Sequence, residues 1–115
     1  MKIPLAGSQC AALAMKQINP DVVAVYPITP QTTLVEGIAK YHETGEFKGD
    51  YICVESEHSA MAACIGASAT GVRTFTGTSS HGLLLMHEIL YNVSGCRLPM
   101  VMVNVSRGLS APLTL

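Results

Sequence analysis

Between Asp21 and Tyr26 the chain reads Asp-Val-Val-Ala-Val-Tyr, a continuous β-branched run. Such a run suits a strand covered on both faces, as in a parallel sheet sandwiched between helices. Strand patterns return at residues 50–54, 71–76 and 100–105, each separated from the last by a segment long enough for a helix. Strands that alternate with helical segments of roughly 10–15 residues build βαβ units, and these place their strands in parallel. The spacing therefore predicts an α/β fold with an open, doubly wound parallel sheet.

The intervening segments have helical signatures. Residues 6–18 carry Ala11, Ala12, Leu13, Met15 and Ile18 and stop at Asn19-Pro20. A second helix is expected from Pro30 to about Thr44, with Leu34, Val35, Ile38 and Tyr41 on one side. Residues 57–70 and 83–93 give the third and fourth helices, and residues 45–49 and 77–82 read as loops. The length of 115 residues fits one domain spanning 1–115. The last residues, Ser110–Leu115, follow a strand with neither a closing helix nor a polar tail. The pattern reads as the N-terminal part of a longer, truncated domain.

Charge is scarce and uneven. Charged residues make up 13% of the chain, against about 25% in an average soluble domain. Eleven of them lie in residues 1–57 and only four, Arg73, Glu88, Arg97 and Arg107, in residues 58–115. So few charges imply that much of the second half packs against another domain or chain; a buried parallel sheet beneath an ordinary surface is the alternative. A net charge of −1 gives no basic footprint for nucleic acid, and no apolar run approaches the ~18 residues of a membrane span. The four cysteines contain no Cys-x-x-Cys pair, so no metal site or iron–sulfur cluster is expected on this chain. Cys53 and Cys64 fall in predicted core elements, and the cysteine pattern fits a reducing, cytoplasmic setting.

In an open parallel sheet, ligands bind beyond the carboxyl ends of the strands. The residues expected there are Thr29, then Glu57-His58, then Thr78-Ser79-Ser80-His81, then Ser106-Arg107. Each also has a structural use. Thr29-Pro30 fits a helix start with a hydroxyl cap. Ser56 fits a cap for the third helix, with Glu57 favoured by its dipole. Thr78-Ser79-Ser80 fits another cap cluster, and Arg107 an ion-paired surface residue. Glycine-rich nucleotide motifs and the esterase elbow are missing. From the residues alone, the chain is a ligand-binding α/β domain with a carboxylate and an arginine at one edge.

Those loops resemble the α subunit, or N-terminal domain, of pyruvate:ferredoxin oxidoreductase and its 2-oxoacid relatives. The resemblance is carried by Asn19–Thr32, by Glu55–Ser68, by Thr78–Glu88, and by Arg97-Leu98-Pro99 with Arg107–Pro112, in that order along the chain. It implies a domain that binds the pyrimidine of thiamine diphosphate. Glu57 matches the glutamate that holds the N1′ nitrogen, Thr29 the threonine beside substrate and thiazolium, and Arg107 the arginine that binds the substrate carboxylate. It further implies oxidative decarboxylation of pyruvate to acetyl-CoA and CO2 with reduction of ferredoxin, or the same chemistry on branched-chain 2-oxo acids or 2-oxoglutarate. A non-catalytic binding or assembly domain of the same fold is the remaining alternative. The cofactor is implied to be shared with a diphosphate-binding β chain carrying Mg²⁺. A ferredoxin-type δ chain with iron–sulfur clusters and a γ chain complete the expected partners. The sequence departs from the pattern at His81, where glutamine is expected, and at Gly108, where alanine is expected.

Overall fold

The computed structural model describes residues 2–109; the Ser110–Leu115 tail discussed above lies outside the described residues. The elements are α1 (Gly7–Ile18), β1 (Val22–Val25), α2 (Thr32–Glu43), β2 (Asp50–Cys53), α3 (Glu57–Ala69), β3 (Thr74–Thr78), α4 (Ser80–Gly95) and β4 (Val101–Asn104). The strands form one parallel sheet in the order β2-β1-β3-β4. β1 pairs with β2 from Val22↔Asp50 to Val25↔Cys53, and with β3 through Val22↔Thr74 and Val23↔Phe75. Its interior position accounts for its continuous apolar run: Val23, Ala24 and Val25 are fully buried.

Helices cover both faces. α1 and α2 pack together on one face, α3 and α4 on the other. The first core gathers Met15, Val23, Val25, Leu34, Ile38, Phe47 and Phe75. The second gathers Ala60, Met61, Met86 and Ile89, with Met100 and Met102 of the β4 region against it. Alternate residues of β4 therefore serve opposite cores, with Val103 facing the first and Met102 the second. Below the sheet, Arg73 closes the end of α1: its guanidinium donates to the carbonyls of Ile18 (3.1 Å) and Asn19 (2.9 Å).

The structure moves four expected boundaries: the start of α2, both ends of β3 and the start of α4. α2 begins at Thr32 with Gln31 as its cap, not at Pro30 with Thr29 as cap. A separate turn, closed by Gln31 N–H on the Ile28 carbonyl at 2.8 Å, precedes the helix. β3 runs to Thr78 and α4 starts at Ser80, so residues 77–82 are not a loop. The strand starts late because Gly71 takes a left-handed φ of +91° and turns the chain out of α3. Gly77 marks a close approach, not a turn: a methyl carbon there would stand 2.9 Å from Leu34 Cδ2. Cys53 is also not in the core. β2 is an edge strand, and Cys53 is exposed.

Apolar surface remains exposed in the charge-poor half. Leu84, Leu85 and Tyr91 on α4, and Val101 on β4, are each more than half exposed. No helix among the described residues is long and apolar enough to cross a membrane.

Cys64 is the buried cysteine, donating to the Phe75 carbonyl at 3.5 Å. Burial pushes its thiol up to about 11. Native protein at neutral pH should therefore leave Cys64 unmodified by iodoacetamide until it is denatured, as peptide mapping by mass spectrometry would show. A raised folded pKa contributes stability that is intact below the unfolded thiol value of about 8.5. That contribution is lost as pH rises through about 11. Cys64→Ala should flatten the alkaline fall in denaturation midpoint across that window.

Candidate functional site

Parallel pairing sets the carboxyl ends of all four strands at one edge. The chain leaves β1 toward β2 and then crosses to β3 on the other side, so the topological switch point lies between β1 and β3. A crevice forms at such a point, and this is where doubly wound sheets bind ligands. The segment after β1 carries Thr29, the one after β2 leads to Glu57, Ser79 follows β3, and Arg107 lies beyond β4.

Thr29 is exposed at the rim. It is placed by Gln31, a polar residue with no exposed surface. The Gln31 side-chain amide donates to the Gly77 carbonyl at 2.7 Å, and its oxygen accepts from the Ile28 N–H at 3.3 Å. One side chain thus ties the loop after β1 to the end of β3, across the switch point. Buried polar groups require such partners, since leaving one unmade costs about 1–3 kcal/mol.

Two carboxylates enter the α3 region, and the structure separates their situations. Glu55 is exposed and accepts from the Ser59 hydroxyl at 2.5 Å; this hydrogen bond holds its carboxyl below the usual range. Glu57 is the first residue of α3 and only 6% exposed. Its backbone is set by the Ser56 cap, whose hydroxyl accepts from Ser59 N–H at 3.2 Å. The cap reading of Ser56 and a site reading of Glu57 are thus compatible: the cap orients the helix that presents the carboxyl.

Arg107 is exposed, and its Nη1 donates to the Thr29 hydroxyl at 3.3 Å. The structure brings these two residues together although they are 78 positions apart. The Arg107 backbone is fastened to the first turn of α4: its N–H donates to Ser80 Oγ at 2.9 Å, and the Ser80 hydroxyl donates back to the Arg107 carbonyl. Beside them lies a cleft of about 250 Å³, lined by Ser80, Leu83, Leu84, Asn104, Ser106 and Arg107 among others. A larger hollow of about 380 Å³ sits at the opposite end of the sheet, between Ile18, Val72, Phe75, Pro99 and Val101. It contains no carboxylate or imidazole.

A buried carboxyl with hydroxyls nearby is a donor set that fits the aminopyrimidine end of a thiamine. A largely buried carboxyl can share a proton with a ring nitrogen, and Ser79 Oγ beside α4 is buried with no hydrogen-bond partner among the described residues. Among the described residues no group of three or more His, Cys, Asp or Glu is placed to hold a metal ion. His81 is exposed on the first turn of α4. Reading loops alone missed Gln31, because its role depends on a partner 46 residues away. It also missed the backbone clasp made by Ser80, which was read only as part of a cap cluster.

Comparison with known proteins gives a uniform picture. Residues 13–115 match the model of the family described as pyruvate flavodoxin/ferredoxin oxidoreductase, thiamine diphosphate-binding. The chain is 58% identical to pyruvate synthase subunit PorA of Methanocaldococcus jannaschii, over 96% of this chain and 28% of that protein. It is 56% identical to ketoisovalerate oxidoreductase subunit VorA of Pyrococcus horikoshii, over 97% of this chain and 28% of that protein. The chain thus spans a little over a quarter of the length of these relatives. Among solved structures, a 2-oxoglutarate:ferredoxin oxidoreductase from Magnetococcus marinus, with 2-oxoglutarate, coenzyme A and succinyl-CoA bound, superposes with a TM-score of 0.85. It is 30% identical, with 96% of this chain and 19% of that chain covered.

The Gln31 tie makes a direct prediction. Gln31→Leu keeps the volume and strands the Gly77 carbonyl and Ile28 N–H, so stability should fall by about 1–3 kcal/mol in urea denaturation. Amide exchange at Ile28 should quicken by more than exchange in β2, which Gln31 does not touch.

Proposed function

The chain belongs to the pyruvate flavodoxin/ferredoxin oxidoreductase family of thiamine diphosphate-binding domains, and on that premise we propose that residues 1–115 form the N-terminal portion of a pyrimidine-binding domain in a pyruvate:ferredoxin oxidoreductase. The assembled enzyme oxidatively decarboxylates pyruvate to acetyl-CoA and CO2, with ferredoxin taking the electrons. The observation that carries this reading is the largely buried Glu57 carboxyl at the first turn of α3, on the same sheet edge as the paired Thr29 and Arg107.

Thiamine diphosphate, when bound, supplies the carbon nucleophile and the electron sink for decarboxylation. Glu57 holds a proton at the N1′ position and thereby fixes the tautomer of the aminopyrimidine. Thr29 lies where substrate and thiazolium meet, and its hydroxyl orients the Arg107 guanidinium. Arg107 binds the substrate carboxylate, a task suited to a planar, permanently charged fork. The cleft beside Arg107 gives that carboxylate a way in.

The diphosphate and its Mg²⁺ belong to a β-type partner chain, the iron–sulfur clusters to a ferredoxin-type δ chain, and a γ chain completes the complex. The exposed apolar side chains of α4 supply a surface for such contacts. The four free thiols suit a reducing, cytoplasmic setting. A second reading keeps the site and changes the substrate to branched-chain 2-oxo acids, favoured by the 56% identity to a ketoisovalerate subunit.

The reconstituted complex should reduce a viologen dye with pyruvate in a coenzyme A-dependent manner. Glu57→Ala should lower turnover by about 100-fold or more, the scale of lost proton-transfer catalysis; full activity in this variant removes Glu57 from the chemistry. Arg107→Ala should raise the KM for pyruvate by about tenfold or more, the scale of a hydrogen bond to a charged group. Unchanged KM and turnover would exclude the carboxylate-binding role. Comparing pyruvate, 2-oxoisovalerate and 2-oxoglutarate decides the substrate.

A further inference from the structure

Gly82 lies in the first turn of α4 and is buried against the site. A methyl carbon at this position would stand 2.2 Å from the Thr78 hydroxyl, 2.7 Å from Glu57 Cγ and 2.9 Å from Glu57 Oε1. Real Cβ atoms essentially never approach within 3.0 Å of such neighbours. The space that a side chain would fill is occupied by the Thr78 hydroxyl and the Glu57 carboxyl together. Gly37 in α2 is also crowded, but by the methyl carbon of Ala12 at 2.9 Å; of the helical glycines Gly37, Gly66, Gly82 and Gly95, Gly82 is the one whose missing side chain meets a carboxylate. Glycine is costly inside a helix, and here its missing side chain admits another residue's carboxyl.

We propose that Gly82 is a positioning residue: the bare backbone of the first turn of α4, with the fully buried Thr78 beside it, forms a socket that seats the Glu57 carboxyl. The Ser56 cap fixes the backbone end of Glu57, and the socket fixes the other. Any side chain at position 82 pushes the carboxyl off its seat while leaving the Thr29–Arg107 pair in place. The inference rests on the reading of Glu57 as the carboxyl that meets the aminopyrimidine.

The test is Gly82→Ala in the reconstituted complex, read by turnover, KM for the 2-oxo acid, thermal midpoint of the cofactor-free complex, and thiamine diphosphate affinity by fluorescence titration. Turnover should fall on the order of 100-fold, the scale of a misplacement of about 1 Å. Cofactor affinity should weaken by about tenfold, as for a misdirected hydrogen bond to a charged group, and KM should stay within about twofold of wild type because Arg107 keeps its place. Thr78→Ala with Gly82→Ala removes the nearest collision and retains the one with Glu57. This double variant should recover thermal stability and keep the defects in turnover and affinity. The socket is overturned if Gly82→Ala has normal turnover and affinity, if the double variant regains both, or if both variants fail to assemble, since packing alone then decides position 82. Normal Gly82→Ala with inactive Glu57→Ala rejects the socket only. Full activity in Glu57→Ala rejects the underlying reading.

Discussion

Everything at the candidate site depends on β1 being hydrogen-bonded on both sides by strands that run in its own direction. That constraint buries β1 between two neighbours and favours apolar residues on both of its faces, as Val23, Ala24 and Val25 are. It also aligns the ends of β2, β3 and β4 with its own. Residues as distant in sequence as Thr29, Glu57 and Arg107 thereby emerge on one edge without any local signal that relates them. An antiparallel arrangement of the same segments would send half of them to the opposite edge.

Long-range ties then convert a shared edge into fixed positions. Gln31 joins the loop after β1 to β3, and Ser80 joins the segment after β4 to α4. Both are buried or half-buried side-chain contacts to backbone, so each replaces water that the backbone groups would otherwise need. Neither depends on an ion pair. Among the described residues the ion pairs, Lys16 with Glu46 and Arg73 with Asp21, lie at the surface and away from this edge, where such pairs contribute little.

Much of this was legible in the sequence because it is local or periodic. The β-branched run of β1, the helical spacing of α2 and the Ser56 cap all follow from neighbours within a few residues. The fold class follows from their alternation. What was illegible depends on tertiary approach. Gly77 and Gly82 read as loop glycines, yet both occupy regular elements where another side chain comes too close for a Cβ. Cys53 reads as core because it follows Tyr51 and Ile52 in a strand pattern, and only strand order shows that β2 is at the edge. Thr29 was placed as a helix cap because Thr-Pro is a good one; the intervening turn to Gln31 left it free to meet Arg107. The roles of Glu57, Thr29 and Arg107 came from resemblance, since no spacing rule links three residues on three loops.

The reciprocal clasp between Ser80 and Arg107 has a mechanical meaning. Ser80 gives Arg107 the donor and acceptor that a neighbouring strand would offer, so the chain beyond β4 is moored to a helix instead of a sheet. Two residues further along that helix, Gly82 touches the space of Glu57. The first turn of α4 is thus a common anchorage for the arm that carries Arg107 and the arm that carries Glu57. A rigid shift of α4 would displace both arms at once, whereas α2 is linked to the site through its cap, Gln31. Under the proposed roles of Arg107 and Glu57, recognition of the acid and alignment of the cofactor would share one lever, and its far end carries the exposed Tyr91.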